Sequence, residues 1–577
     1  MRRGAGNRLN SPHHRIHSAL QASMLHDLGH SLRRALLAAA ALLLLEGLIA
    51  HTQFGMPITP ILRADLISAP ALVLFVLAII YARLLVSRLL LAAILFAANY
   101  AQYTFASFYG RFLQPSEILL TLKNSLRELT ESTLLYFNAA ALLAALATLL
   151  VYTGVALWLT DRPRRQWLSL IFVPAATLWS LAVGSMLPMD PAGPPDVAFI
   201  SITARSAREH LLHTTSGAIP RQLAPPPTHT PVTFNILYLV GESLRADRFP
   251  PGQYGRTVTP YLHSLTLPHV TFDNVTSHGD CTGRSVPYLM VAPGQPLHLD
   301  LYKRPTLFAY AKKAGFHTSF VYANENDWAE FIDGNIDTLH RNAEVTSGTD
   351  EWTYNSDEKM IDTIAALDNA EGPQFMVVET YTSHWPYGDR YQTCATCRVY
   401  RPDNIGRPVP FSSQFRTQII NSYDNATLYF DRFMDHLIGA LHKPTLIIFT
   451  SDHGESLGER GMWGHCSGAP EQFLVPLMFI ATDQQVADSA GFDRLSGRAN
   501  WAVSHGNLFP SILGYLGYDP RTLRNAYEPS LFELPTAVSS DRAVLISEIG
   551  SGAEPVWFAH LDPTKHLLFK DFVKPTQ

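Results

Sequence analysis

The chain has 577 residues, 47% of them apolar and 16% charged, with a formal net charge of −5. That length allows more than one domain, and an acidic balance with no basic stripe gives a nucleic-acid partner no electrostatic footing. The apolar content is uneven: the first ~190 residues run in long Leu- and Ala-rich stretches, and the rest has ordinary globular composition.

A hydrocarbon core of ~30 Å takes about 20 apolar residues per helix, and roughly five stretches meet that length. They are Ala35–Phe54, Ser68–Leu85, Leu89–Tyr109, Leu134–Leu159 and Trp167–Leu187. Five in succession leave no polar face to cover them, which predicts membrane spans and not buried core helices. Arg2, Arg3, Arg8, Arg15, Arg33 and Arg34 precede the first stretch. Arg83 and Arg88 lie between the second and third, and Arg162, Arg164 and Arg165 between the fourth and fifth. The positive-inside rule then predicts a cytoplasmic N-terminus, with everything after Leu187 on the outer side. The first stretch is too long and too late for a cleaved signal and is expected to stay as an anchor.

Between the third and fourth stretches, Gly110–Glu131 mixes Phe112, Leu113, Ile118, Leu119, Leu122 and Leu126 with Glu117, Lys123, Arg127 and Glu128. The spacing suits an amphipathic helix in the interface plane, or a loop helix packed on a soluble domain. Residues 188–233 include Pro188-Met189-Asp190-Pro191-Ala192-Gly193-Pro194-Pro195 and Leu223-Ala224-Pro225-Pro226-Pro227-Thr228, which read as a semi-rigid linker. The expected domains are therefore a transmembrane domain over 1–187, a linker over 188–233 and a soluble domain over 234–577.

Beyond the linker, strand-like Ile236–Val240, His317–Tyr322, Phe375–Glu379, Leu446–Thr450, Leu477–Ala481 and Ala543–Ile546 alternate with helical patterns. The helical patterns are Thr306–Ala314, Asp357–Leu367, Ser413–Leu441 and Asn507–Leu516. This alternation predicts an α/β domain with helices on both faces of a mostly parallel sheet. The most informative string, Thr450-Ser451-Asp452-His453-Gly454-Glu455-Ser456, follows an apolar strand. An Asp and a His there can hold a divalent cation at the carboxyl end of the sheet. A second apolar strand ends in Gly241-Glu242-Ser243, and Ser277–Pro287 offers Thr282 as a hydroxyl nucleophile in a Gly-punctuated turn. Four cysteines all lie beyond residue 280. Cys394-Ala395-Thr396-Cys397 reads as a local disulfide or a zinc half-knuckle without its other half, and a Cys281–Cys466 pair is left open.

These motifs resemble the alkaline phosphatase/sulfatase superfamily, and more narrowly the membrane-anchored phosphoethanolamine transferases of Gram-negative bacteria. The resemblance is carried by Val240–Asp247, Phe272–Ser277, Thr382-Ser383-His384-Trp385-Pro386-Tyr387, Tyr423-Asp424-Asn425 and Ser451–Glu459. It implies a multi-pass inner-membrane enzyme, N-terminus cytoplasmic and catalytic domain periplasmic. Such an enzyme moves phosphoethanolamine from phosphatidylethanolamine to a lipopolysaccharide (lipid A or core) or glycan hydroxyl.

The resemblance further implies a Zn²⁺ site at Glu242, Thr282, Asp452 and His453, with Thr282 as the nucleophile of a phosphothreonine intermediate. One zinc is expected and a second is open. His384 and His465 match the family's pocket histidines, for acid–base or substrate contact, and Glu117 matches an acidic residue of its interfacial helix. The chemistry agrees: coordination to Zn²⁺ lowers a hydroxyl's pKa, and two carboxylates with a neutral His make a shell that zinc accepts.

The chain departs from the pattern at Glu379, where the family commonly has His, and at Tyr288, where it has Cys. Gly506 stands where the family has Asp, and Tyr322–Trp328 lacks the family's phosphate-contacting Lys. These changes leave open a phosphoglycerol transferase or phosphodiesterase of the same superfamily, and a non-catalytic membrane scaffold as the remaining alternative. A sulfatase is disfavoured, because Cys281-Thr282-Gly283-Arg284-Ser285 lacks the Pro of Cys-x-Pro-Ser-Arg and reverses its Ser and Arg.

Overall fold

In the computed structural model, the described residues are 12–54, 58–109, 112–113, 137–158, 166–186, 194–203, 221–252, 254–291, 304–322, 331–345, 352–354, 357–405, 409–519, 522, 527–533, 542–545, 558–561 and 572–573. Glu117 and the rest of the predicted interfacial helix, apart from Phe112 and Leu113, lie outside them. The chain divides into two compact units, Met1–Asn124 with Tyr136–Thr214, and Ser125–Leu135 with Thr215–Gln577.

The first unit holds α1 (Pro12–Phe54), α2 (Ile58–Tyr81), α3 (Leu85–Tyr109), α4 (Ala139–Trp158) and α5 (Ser169–Met186). Among the described residues, three helical segments are long and apolar enough to cross a membrane: Leu28–Gln53, Leu85–Phe108 and Ala139–Leu157. The expected second and fifth spans appear as shorter apolar helices, Leu66–Tyr81 and Ser169–Ser180.

Small residues such as Ala35, Ala71, Ala92 and Ala156 are buried between the helices, whereas Leu37, Leu44, Leu150 and Leu170 point outward and are exposed. An outer surface of leucines with small residues inside is the pattern of helices packed in lipid. Polar contacts also tie the helices together. Asn99 Nδ2 donates to Glu46 Oε1 at 3.2 Å and to Thr148 Oγ1 at 3.1 Å, joining α3 to α1 and α4.

The second unit is built on a seven-stranded sheet. Its strands are β1 (Asn235–Gly241), β2 (His269–Thr271), β3 (His317–Tyr322), β4 (Thr338–Arg341), β5 (Gln374–Glu379), β6 (Thr445–Ser451) and β7 (Leu477–Ala481). Their order is β2-β7-β6-β1-β5-β3-β4. The strands β6, β1, β5, β3 and β4 run parallel, while β7 is antiparallel to both β6 and β2. The sheet is thus mixed, with its irregularity confined to one edge. Ala543–Ile546, read as a further strand, falls at Arg542–Leu545 in a separate three-stranded antiparallel sheet.

Every residue of β1 and β6 is buried, as expected for central strands covered on both faces. The two-residue period of β1 sends Ile236, Tyr238 and Val240 into one apolar core and Leu237 and Leu239 into the other. The first core is closed by α6 (Thr282–Met290), α7 (Leu307–Lys313) and α10 (His505–Tyr515). The second is closed by α8 (Ile361–Asp368) and α9 (Arg416–Ala440). Along α9, Phe430, Phe433, Met434, Leu437 and Ile438 recur at helical spacing and supply that second layer. Two helical layers over one sheet leave its carboxyl edge as the place where loops from different strands meet.

Candidate active site

The parallel register of β1 and β6 sets Gly241 beside Ser451, and Asp452 N–H continues the ladder to Gly241 O at 2.9 Å. Glu242 and Asp452 therefore leave neighbouring strands at the same level, and His453 follows. On the other side of β1, β5 ends at Glu379 opposite Val240, and its loop carries His384.

Thr282 arrives from below on the first turn of α6, with Cys281 as the N-cap residue. The turn before it is tight: a Cβ on Gly279 would lie 2.5–2.6 Å from Arg284 and Ser285 backbone atoms, so only glycine fits. Thr282 Oγ1 lies 3.3 Å from both Glu242 Oε2 and His453 Nε2. His453 Nε2 is 3.4 Å from Glu242 Oε1 and 3.4 Å from Asp452 Oδ2. All four residues expected to form one site thus converge, and all are buried.

Their chemistry suits a cation. His453 Nδ1 is 2.8 Å from Gly454 O; donation there turns Nε2 to the cluster, where it can hold either a proton or a cation. Asp452 Oδ1 accepts from two backbone N–H groups, those of Ser243 at 3.0 Å and His453 at 2.7 Å. Its buried Oδ2 has no hydrogen-bond donor. A buried carboxylate oxygen without a donor is costly unless a cation meets it. Glu242, Asp452 and His453 offer one ligand atom each within 4.8 Å of one another. Burial and the Glu242 charge push Asp452 well above the usual carboxylate range. Burial alone would lower His453, but Asp452 and Glu242 outweigh it and hold the imidazole at about 10. The cluster therefore calls for positive charge. This mixed oxygen and nitrogen donor set fits Zn²⁺.

His384 and His465 line the same space. The His453 and His465 rings stand 4.5 Å apart, and those of His384 and His465 6.3 Å apart. His384 Nδ1 contacts Trp385 O at 2.6 Å, and its ring stacks on Tyr381 at 4.3 Å. Burial, with help from Arg390 and His465 and against Glu242, lowers His384 to about 3, so the ring is neutral near pH 7.

His465 Nδ1 contacts Glu455 Oε2 at 2.9 Å, and Tyr387 donates its hydroxyl to Glu455 Oε1. The loop of His465 is tied to that of Thr282 by the Cys281–Cys466 disulfide, and Cys394 pairs locally with Cys397. Glu455 had no role in the sequence reading. It forms a second three-residue group with His453 and His465, and its position two residues past His453 in a tight turn was the available signal.

Residues 234–518 match the family model described as sulfatase. The similarity runs to the phosphoethanolamine transferases. Over 305 residues the chain is 27% identical to the Kdo(2)-lipid A phosphoethanolamine 7''-transferase of Escherichia coli (strain K12), covering 49% of this chain and 51% of that protein. It is 30% identical over 304 residues to the phosphoethanolamine transferase EptA of Salmonella typhimurium, covering 49% and 53%. The matched region thus spans about half the length of these curated relatives. In fold, the integral membrane lipooligosaccharide phosphoethanolamine transferase A of Neisseria meningitidis superposes with a TM-score of 0.58 at 20% identity, covering 85% of this chain and 99% of that one.

Proposed function

We propose that this protein is a zinc-dependent phosphoethanolamine transferase of the bacterial inner membrane. Its donor is phosphatidylethanolamine and its acceptor a hydroxyl of lipopolysaccharide, in lipid A or core, or of a glycan. The observation that carries this reading is the convergence of a buried hydroxyl, two carboxylates and an imidazole on one point at the ends of β1 and β6. The names of the relatives support the head group and the acceptor class. The membrane half belongs to the same proposal, with five spans, a cytoplasmic N-terminus and a periplasmic catalytic domain. Glu117 would contact the donor head group.

Glu242, Asp452, His453 and the Thr282 oxygen would hold the ion, which supplies the Lewis acidity that makes a threonine hydroxyl nucleophilic near neutral pH. Thr282 Oγ1, its proton released to solvent, would then attack the donor phosphorus. A Thr–O–P bond forms, the P–O bond to diacylglycerol breaks, and the departing oxygen takes a proton. The Thr282 and Gly283 N–H groups at the start of α6 would be available to the phosphoryl oxygens. In the second half, the acceptor hydroxyl gives its proton to a neutral imidazole, attacks phosphorus and releases Thr282. His384, whose ring lines the pocket beside His465, is the imidazole placed for that step. His465, backed by Glu455, suits protonation of the first leaving oxygen.

Glu379, a buried carboxylate beside this pocket, favours one alternative, a different head group such as phosphoglycerol. The test is incubation of the purified full chain with lipids labelled in each head group, followed by mass spectrometry of the Thr282 peptide and of added lipid A. Phosphoethanolamine on both supports the reading. A Thr282 peptide that never gains a phospho-group under any donor ends it.

A further inference from the structure

Ser243 follows Glu242 at the end of β1 and has a backbone φ of 58°, in the left-handed region that residues with a Cβ rarely enter. Such strain persists only where the surroundings fix it, and it collects at functional sites. Here the surroundings are explicit. Ser243 O accepts from the Tyr423 hydroxyl at 2.6 Å, and the next N–H, of Leu244, donates to Ser451 Oγ at 2.8 Å. The residue is buried.

The left-handed turn lets one residue reach both carboxylates. Its N–H donates to Asp452 Oδ1 at 3.0 Å, across the seam between β1 and β6. Its hydroxyl donates to Glu242 Oε1 at 2.9 Å. With the His453 N–H also on Asp452 Oδ1, that oxygen is fully used and Oδ2 is left over. On Glu242, Oε1 accepts from the Ser243 hydroxyl and lies 3.4 Å from His453 Nε2, and Oε2 is the oxygen that faces Thr282.

We infer that Ser243 is the positioning residue of the cation site, turning Glu242 and Asp452 so that one oxygen of each is presented to the ion. This rests on the zinc reading proposed above. Partners that orient metal ligands typically change metal affinity 10- to 100-fold when removed.

The test is the zinc affinity of the purified full chain, by competition with a chromophoric chelator, together with its melting temperature in excess chelator. Ser243→Gly keeps the N–H and accepts positive φ without strain, so it removes the hydroxyl alone. It should bind zinc roughly 10- to 100-fold more weakly, with a chelated melting temperature no lower than that of the wild type. Ser243→Ala lacks the same hydroxyl but keeps the strain; it should lose the same zinc affinity and also melt lower. Weaker zinc binding at undiminished fold stability is something a merely structural turn residue would not produce. Wild-type affinity in both variants overturns the inference alone, whereas a wild-type protein that binds no zinc overturns the metal reading and this inference with it.

Discussion

A single oxygen atom carries most of the proposed chemistry. Thr282 Oγ1 is held between Glu242 and His453 by long contacts of 3.3 Å, so its removal takes little from the fold. Thr282→Ala should therefore lower the transfer rate by about 10⁴-fold or more, as loss of a nucleophile does elsewhere, and leave the melting temperature where it was. Thr282→Ser should keep a measurable rate. Rates on labelled lipid for the three proteins decide this, and full activity in the alanine variant would sink the mechanism.

A second residue-scale prediction concerns Asp357, outside the cluster. Burial raises it from 3.8 to about 6, against the Thr382 hydroxyl, the Tyr381 N–H and the Arg390 charge. Its folded pKa lies above its unfolded one, so the folded form holds a proton that the unfolded form has lost between those values. Stability from this group is therefore full below pH 3.8 and falls until about pH 6. The total is roughly 3 kcal/mol. Asp357→Asn, neutral throughout, should gain on the wild type as pH rises from 4 to 7, read as the difference between their melting temperatures. A difference that stays flat over that range contradicts the assignment.

At the scale of elements, the loop of Thr282 is fixed by more than its own turn. Asp280 binds Arg284 at 2.7 Å and the Gly468 N–H at 2.7 Å, and the Cys281–Cys466 bond joins segments 185 residues apart. Cys394–Cys397 closes a separation of three. Loop-closure reasoning gives the long bond a stability of roughly 2–5 kcal/mol and the short one far less. Cys466→Ser should hence lower the temperature of thermal inactivation and the rate together, because it also frees the start of α6. Cys394→Ser should change the temperature little. Equal losses in the two variants would mean that the long bond does not hold the site.

The same elements mark what could be read without coordinates. The central strands were legible because a strand buried on both faces must be a continuous apolar run, as Ile236–Val240 and Leu446–Thr450 are. The edge strand at His269–Thr271 was not, because three residues with an exposed His269 carry no such pattern. Nor was the reversed direction of β7, although a hint existed: a parallel strand needs a crossover helix, and the segment between β6 and β7 holds only short turns and two-residue strands. Ser243 was hidden for another reason. Its role depends on a backbone angle and on a partner 209 positions away, and neither leaves a trace in composition or period.

At the scale of the whole molecule, the two units call for separate tests. The two apolar cores of the second unit draw on residues from Ala224 to Phe532, and Glu242, Asp452 and His453 all lie within that range. Residues 221–233 belong to its fold: the Thr228 and His229 N–H groups both donate to Gly517 O at 2.8 Å, and the Val232 N–H donates to Tyr515 O at 3.0 Å. A fragment spanning 221–577 should therefore fold and bind zinc, whereas one starting at 234 forfeits those bonds and should melt lower. On a short-chain soluble analogue of the donor, the 221–577 fragment should approach the rate of the full chain. On bilayer lipid it should lose most of its rate, because confinement to the membrane supplies effective concentration and orientation, not chemistry. The quantity to measure is the rate of full chain over fragment, on both substrates. Similar ratios on lipid and on soluble analogue would reduce the membrane half to an anchor, while a much larger ratio on lipid gives it a part in delivering the donor.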